Sequence, residues 1–326
     1  MKSLLAPSHV IHLPHFSPML ATLSQMPANS EDYGFEYKWD GYRALCYWDG
    51  RTIRFESRNQ IEFGSVYPEL LEMAKRLQKP VVLDGEIIAL DQAGQPSFST
   101  LQKRAELIDK SPVVYMIFDL LFLGSQSRVG LPYIERRRLL EQLHLEGPFW
   151  KTPPSYPGEG EALLNVARHH GYEGIMAKRL DSLYRPGDRT SQWLKIKLIR
   201  GQEFVIGGWL PGKGSFEGTL GSLLLGYFEG LGMQRVLRYA GNVGTGLSDK
   251  ERKDLLGRLS KLRTSRSPFS EPVTRGAFYV RPELVAEIEF RGWTQGLRLR
   301  QGSFKGLRID KNARSVVLER PTRSQL

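Results

Sequence analysis

Cysteine is almost absent: Cys46 is the single one in 326 residues. One thiol builds neither an internal disulfide framework nor a cysteine zinc cluster. It lies in the apolar and aromatic stretch 44–48, so a buried strand position in a reducing cytoplasm is its expected place. Long hydrophobic runs are missing too, and no stretch is long and apolar enough to span a bilayer. Residues 1–16 lack a sustained apolar core and are broken by proline and histidine, which makes a poor signal peptide. The chain has no internal repeat and no low-complexity tract.

Acidic residues are in deficit. There are 35 Asp and Glu against 46 Lys and Arg, a net charge of +11. Such a surplus favours a polyanionic partner, nucleic acid or an anionic membrane surface, although a generally basic proteome has the same effect. Its distribution says more. Residues 203–326 hold 21 basic and 12 acidic residues, while residues 1–202 hold 25 and 23. A basic C-terminal part beside a near-neutral N-terminal one suggests a binding module attached to a catalytic one. Hydrophobic residues make up 40% and charged residues 25%, as in a soluble globular chain.

Two domains fit the length. Strands are expected at 35–48 and 52–56, joined by a hairpin turn at Asp49-Gly50. Helices are expected at 67–77, 134–145 and 163–170 from apolar spacing. Further strands are expected at 81–90, 113–123 and 193–197. After Arg200 the texture changes to short strands at 204–210, 222–228, 235–241 and 284–290, with one amphipathic helix at 250–262. Several short strands plus one helix fit a small barrel. The expected boundary is near Gly201, giving domains 1–201 and 202–326.

The chemistry-bearing segment is Lys38-Trp39-Asp40-Gly41-Tyr42-Arg43. A lysine acts as a nucleophile only when partly unprotonated, which desolvation or a neighbouring cation favours. Arg43 is close enough in sequence to help, and Gly41 permits a tight turn. Taken alone, the hexapeptide also suits a solvated turn. It is not alone, however. Ser57-Arg58-Asn59, Leu83-Asp84-Gly85-Glu86 and Phe118-Asp119-Leu120-Leu121 follow it. Then come Glu173-Gly174-Ile175-Met176-Ala177-Lys178, Trp193-Leu194-Lys195-Ile196-Lys197 and Arg308-Ile309-Asp310-Lys311.

In these segments and their order the chain resembles the covalent nucleotidyltransferase superfamily of ATP-dependent DNA ligases, RNA ligases and mRNA capping enzymes. The resemblance runs from Pro18-Met19-Leu20-Ala21 nearly to the C-terminus. Residues 94–104, 285–290 and 293–311 look like the ligase domain of bacterial end-joining ligases and their stand-alone relatives. Two departures are visible: Gln60 stands where a glycine is usual, and Gln301-Gly302 where His-Pro is usual. The implied fold is α+β, an ATP-grasp-like nucleotidyltransferase domain of antiparallel sheets with helices, followed by a β-barrel OB-fold domain.

The resemblance implies an ATP-dependent DNA ligase that seals 3′-hydroxyl, 5′-phosphate nicks. Lys38 would attack the α-phosphorus of ATP, with Asp40 in the catalytic set. Arg58 and Glu86 would hold the ribose hydroxyls, Phe118 would stack on adenine, and Glu36 would accept from its amino group. Arg43, Arg189, Lys195 and Lys197 complete the nucleotide contacts. Glu173, with Glu86, would bind Mg2+ or Mn2+, and Arg308, Asp310 and Lys311 would act at the triphosphate tail. His9, His12, His15, His144, His169 and His170 match no catalytic motif and are read as structural or surface residues. The implied partner is nicked duplex DNA, with bacterial Ku and a separate repair polymerase by resemblance only. A cytoplasmic, nucleoid-associated monomer without membrane contact is expected. An RNA ligase, a capping enzyme or a non-catalytic OB-fold DNA-binding protein are the alternatives.

Overall fold

A computed structural model of the protein describes residues 12–92, 94–105, 111–198, 201–230 and 232–319. His9 lies outside the described residues. The chain divides into two compact units between Lys197 and Leu198, just before Gly201. No helix among the described residues is long and apolar enough to cross a membrane.

The first unit carries strands β1 (Leu20–Leu23), β2 (Tyr33–Tyr37), β3 (Tyr42–Trp48), β4 (Ile53–Ser57), β5 (Val81–Ala89), β6 (Val113–Leu123), β7 (Gln126–Ser127), β8 (Trp150–Lys151), β9 (Tyr156–Pro157), β10 (Gly174–Arg179) and β11 (Arg189–Lys197). They form two sheets. One has five strands in the order β1-β11-β10-β2-β9; the other has six, β4-β3-β5-β6-β7 with β8 beside β6. Helices α1 (Phe98–Ala105), α2 (Tyr133–Glu141) and α3 (Gly160–His169) complete the unit.

Strand β3 shows how the six-stranded sheet is buried on both faces. Successive side chains alternate between faces. Tyr42, Ala44 and Cys46 join a core with Leu70, Met73, Phe98 and Leu101. Leu45 and Tyr47 point the other way, into a second core with Met19, Val82, Leu121 and Trp193. Trp193 belongs to β11, so this second core joins the two sheets. Cys46 is buried and unbonded.

Three expected elements differ. The strand expected at 35–48 is two strands in different sheets, interrupted at residues 38–41. Gly41 passes so close to β5 that an added Cβ would lie 2.1 Å from the Ile87 carbonyl oxygen. The break itself is Lys38-Trp39-Asp40-Gly41, with only one apolar residue, and the aromatic-rich segments on either side read as one strand across it. The helix expected at 67–77 is the 3-10 helix Pro68–Arg76, in which Leu70 and Met73 are buried. A spacing of three matches its three residues per turn. The helix expected at 134–145 ends at Glu141, and His144 adopts a positive φ of 47°. Helix α1 was not anticipated, although Ser97 Oγ accepts from Thr100 N at 3.3 Å, a start signal visible in sequence.

The second unit contains β12 (Gly201–Pro211), β13 (Leu220–Glu229), β14 (Val236–Val243), β15 (Arg263–Thr264), β16 (Phe278–Val280), β17 (Val285–Glu289), β18 (Gly292–Trp293), β19 (Leu299–Arg300), β20 (Ser303–Leu307) and helix α4 (Asp249–Lys261). Strand β12 pairs β17 through 201–205 and β16 at Gly208 and Trp209. A shift of its register against β13 falls between Ile206 and Gly208. Gly207 sits there because a Cβ would meet the Phe269 ring at 2.4 Å. One bent strand thus serves two neighbours and curls the sheet into the half-barrel of an OB fold. Ser248 and Glu251 cap α4 reciprocally.

Both departures from the family's usual residues fall on unusual backbone. Gln60 (φ 61°) and Gln301 (φ 51°) occupy the left-handed region that glycine adopts most cheaply.

Asp119 and Arg136 form the most deeply buried ion pair among the described residues of the first unit, both at 0% exposure, joined by bonds of 2.7 and 2.9 Å. Arg136 also donates to the Leu131 and Ser182 carbonyls at 2.6 and 2.9 Å. Removing one partner strands a buried charge, so Asp119→Ala should cost about 3–5 kcal/mol in the unfolding of this unit. Asp119→Leu with Arg136→Met should recover part of that, since two carbonyls lose their donor. A urea titration in which Asp119→Ala costs under about 1 kcal/mol would contradict the assignment.

Candidate active site

Residues 38–41 cross from the end of β2 in one sheet to the start of β3 in the other, so Lys38 stands at the seam. Its backbone N–H donates to the Gly174 carbonyl at 3.0 Å. Gly174 is confined as well, since a Cβ there would lie 2.1 Å from the Ile196 carbonyl oxygen. Glu173 immediately precedes β10. The sheet order β11-β10-β2 brings Lys197, Glu173 and Lys38 side by side. The Lys38 ammonium donates to Glu173 Oε2, and Lys197 Nζ lies 3.0 Å from Glu173 Oε1. Lys195 has the same parity as Lys197 along β11, opposite Met176.

The electrostatics differ from expectation. Arg43 does not serve Lys38: its Nη2 donates to Asp84 at 2.6 Å, and Tyr184 OH donates to the same carboxylate at 2.7 Å. Asp84 is fully buried. Burial is the largest single influence on the Lys38 ammonium and pulls its pKa down, as expected, but the charge and hydrogen bond of Glu173 together with the charge of Asp40 leave the net shift upward. The cation that lowers it is Lys197. Burial alone would raise the Glu173 carboxyl, but Lys197 and Lys38 hold it at about 2. Lys38 is therefore an ammonium while it faces Glu173.

A second cluster lies around Glu36, which is 4% exposed. It takes Lys178 Nζ at 2.8 Å and Tyr133 OH, with Arg137 Nη1 at 3.7 Å. Phe118 is half-buried on β6. Lys178 Nζ and the Arg43 guanidinium stand 4.3 and 4.6 Å from its ring centroid. Glu86 sits opposite Arg43 in the β3–β5 register. Arg58 is carried by a turn in which Ser57 Oγ accepts from Asn59 N at 3.3 Å and Ile61 N at 3.0 Å. Arg189 opens β11 and donates to the Ala21 carbonyl at 2.6 Å.

Arg308, Asp310 and Lys311 belong to the second unit. Arg308 makes two 2.9 Å bonds to Asp310 and lies 3.4 Å from Glu287; Lys311 lies 2.9 Å from Glu203. Arg308 and Asp310 are buried. Among the described residues no group of three or more His, Cys, Asp or Glu forms a metal cage. Glu173 is an oxygen donor suited to a hard cation that keeps waters and shares phosphate oxygens.

Sequence reasoning assigned no role to Asp84, Tyr133, Arg137, Lys178 or Tyr184. Asp84 and Lys178 stood inside quoted motifs. Tyr133, Arg136, Arg137 and Leu140 share the buried face of α2. That i, i+3, i+4, i+7 spacing put two arginines on an apolar stripe and was a readable sign of buried charge.

The Lys38–Glu173 pairing has a measurable consequence. Glu173→Gln removes the charge that raises the Lys38 pKa and leaves burial and Lys197, both of which lower it. The midpoint pH for acylation of Lys38 by an amine-selective reagent should therefore fall below that of the parent protein, read by peptide mass spectrometry. An unchanged or higher midpoint would refute the pairing.

The chain matches the ATP dependent DNA ligase domain over residues 18–197 and the ATP dependent DNA ligase C terminal region over 216–311. It is 41% identical over 316 residues to the multifunctional non-homologous end joining DNA repair protein LigD of Mycobacterium tuberculosis, covering 95% of this chain and 41% of that protein. The LigD of Pseudomonas aeruginosa is 36% identical over 316 residues, covering 94% and 37%. The chain thus spans about two fifths of these relatives' length. A solved mycobacterial DNA ligase D, complexed with ATP and MES, superposes with a TM-score of 0.66 at 41% identity, over 93% of this chain and 98% of that one. The chain belongs to the ATP-dependent DNA ligase family.

Proposed function

We propose that this chain seals nicks in duplex DNA at the expense of ATP, through an adenylate carried on Lys38. The observation that carries the reading is the Lys38, Glu173 and Lys197 triad at the seam of the two sheets, on three segments of the ligase pattern. Deprotonated Lys38 Nζ attacks the α-phosphorus; a P–N bond forms and the bond to the pyrophosphate oxygen breaks. An oxygen of the DNA 5′-phosphate then attacks the adenylate phosphorus, and the P–N bond breaks. The 3′-hydroxyl finally attacks the activated 5′-phosphate and AMP leaves.

Lys38 must part from Glu173 before it reacts, because an ammonium has no lone pair. Glu173, with Glu86, would hold Mg2+ or Mn2+, which supplies charge neutralisation at the phosphates. Asp40, which also raises the Lys38 pKa, lies in the same loop. Lys195, Lys197 and Arg189 provide phosphate contacts, Arg58 and Glu86 the ribose contacts, and Phe118 a stacking face beside Arg43. Glu36 accepts from the adenine amino group. End joining is the pathway suggested by the relatives' names, with bacterial Ku and a separate repair polymerase as partners.

Lys38→Ala and Lys38→Arg should both abolish covalent labelling by α-labelled ATP; guanidinium stays protonated. AMP found on another lysine by mass spectrometry would sink the assignment. Glu173→Ala should impair labelling and blunt its magnesium dependence; unchanged values of both would remove the metal role.

The triphosphate-tail residues allow the steps to be separated. Asp310→Ala also deprives buried Arg308 of its two-bond partner, so Lys311→Ala, on a partly exposed side chain, is the cleaner probe. Self-adenylation should drop roughly tenfold or more, because a cation at the leaving pyrophosphate is lost. Joining of a nick already carrying 5′-AMP should change little. Equal losses in both assays would exclude a role confined to pyrophosphate.

A further inference from the structure

Three buried side chains surround the Glu36 carboxylate. Lys178, 1% exposed, donates to Oε2, and Tyr133, 1% exposed, donates to Oε1. Arg137, 4% exposed, brings Nη1 to 3.7 Å from Oε1, beyond hydrogen-bond reach. Its other contacts are taken: Nε donates to Glu141 at 2.7 Å, and Nη2 donates to the Pro153 carbonyl. Nη1 has no hydrogen-bond partner among the described residues. A buried guanidinium N–H without an acceptor is costly and asks for an explanation. Anchoring α2 is not one, since neighbouring Arg136 already ties that helix to Asp119 on β6.

Around Glu36 the order of groups is donor, acceptor, donor: Lys178, the carboxylate, Arg137. The outer edge of adenine reads acceptor, donor, acceptor: N7, the 6-amino group, N1. Guanine reads acceptor, acceptor, donor and does not complement the set. Lys178 keeps one spare N–H: its ammonium has three, of which one goes to Glu36 and one to the Phe118 carbonyl at 3.4 Å.

We propose that Arg137 is a specificity-determining residue of the nucleobase pocket. Its Nη1 donates to one of the two ring nitrogens flanking the 6-amino group. Lys178 serves the other, and Glu36 accepts from the amino group between them. Tyr133 fixes the carboxylate through Oε1. The assignment rests on the ATP reading above and adds a residue outside the ligase motifs.

Calorimetric binding of ATP, 7-deaza-ATP and 1-deaza-ATP to the whole chain, with divalent ions chelated to prevent turnover, tests it. The parent protein should bind each deaza analogue roughly tenfold more weakly than ATP, the size of one lost charge-assisted bond. Arg137→Met should bind ATP roughly tenfold more weakly and lose one deaza penalty while keeping the other. Lys178→Met should show the opposite pattern. If Arg137→Met fails to fold, Arg137→Lys keeps the charge without the planar fork and should lose the same penalty. Arg137 variants that retain both penalties, or a parent protein indifferent to both analogues, would overturn the proposal. Binding with these penalties but no adduct on Lys38 when magnesium is restored would refute the ligase reading alone. An adduct with both penalties intact in the Arg137 variants would refute the Arg137 assignment alone.

Discussion

A single carboxylate, Glu173, is shared by two ammonium groups. Three neighbouring strands must stay in register for this to hold, since Lys197 ends β11, Glu173 precedes β10 and Lys38 follows β2. The two glycines that bracket the arrangement, Gly41 and Gly174, are each pressed against a backbone carbonyl that leaves no room for a Cβ. Sheet pairing, glycine placement and charge placement are therefore one constraint. It also sets a chemical cost. The carboxylate beside Lys38 favours its protonated form, so under the proposed reading the nucleophile is stored rather than active. Whatever draws Glu173 away releases it.

The same economy recurs deeper in the first unit. Glu36 pairs with Lys178, Asp84 with Arg43 and Asp119 with Arg136, each carboxylate being buried. Buried ion pairs add little net stability, because desolvation offsets most of the attraction. Their effect is geometric. Asp84 and Tyr184 fix the Arg43 guanidinium against Phe118, and Asp119 orients the helix that presents Tyr133 and Arg137. The quoted motifs thus contain two kinds of residue: some offer a side chain to the site, and others, such as Asp84 and Asp119, hold the presenters still.

This division explains what was legible in the sequence. Strand 113–123 was placed to the residue, because a long apolar run between two covered faces has little else to be. The hairpin at Asp49-Gly50 was equally plain, with Gly50 at φ 99° and β3 pairing β4. The turn-prone Asp40-Gly41 hinted at the break at 38–41, but that it separates two sheets depends on Gly41 meeting Ile87, forty-odd residues away in sequence. Nor could local spacing show that Arg43 would face Asp84 instead of Lys38, or that Glu173 with Asp40 would turn the net shift of Lys38 upward. Those are tertiary facts about charge. The short strands β16, β18 and β19 escaped because they carry two or three residues each, too few for a period.

In the second unit two electrostatic populations of cations can be contrasted. Arg308 and Lys311 are matched by Asp310, Glu287 and Glu203. Lys250, Lys253, Lys261, Arg263 and Arg266, on and just after α4, are exposed. Both populations contribute to the same net positive charge, yet they respond to a polyanion differently. An exposed cation holds a phosphate at the expense of released counterions, so its contribution falls as salt rises. A cation already neutralised by a carboxylate must exchange one partner for another and releases few ions. Under the proposed reading, loose attraction to the DNA backbone and discrimination of a single triphosphate tail are therefore carried by different residues of one small barrel. The acidic residues that look out of place in so basic a domain are what keep the two apart.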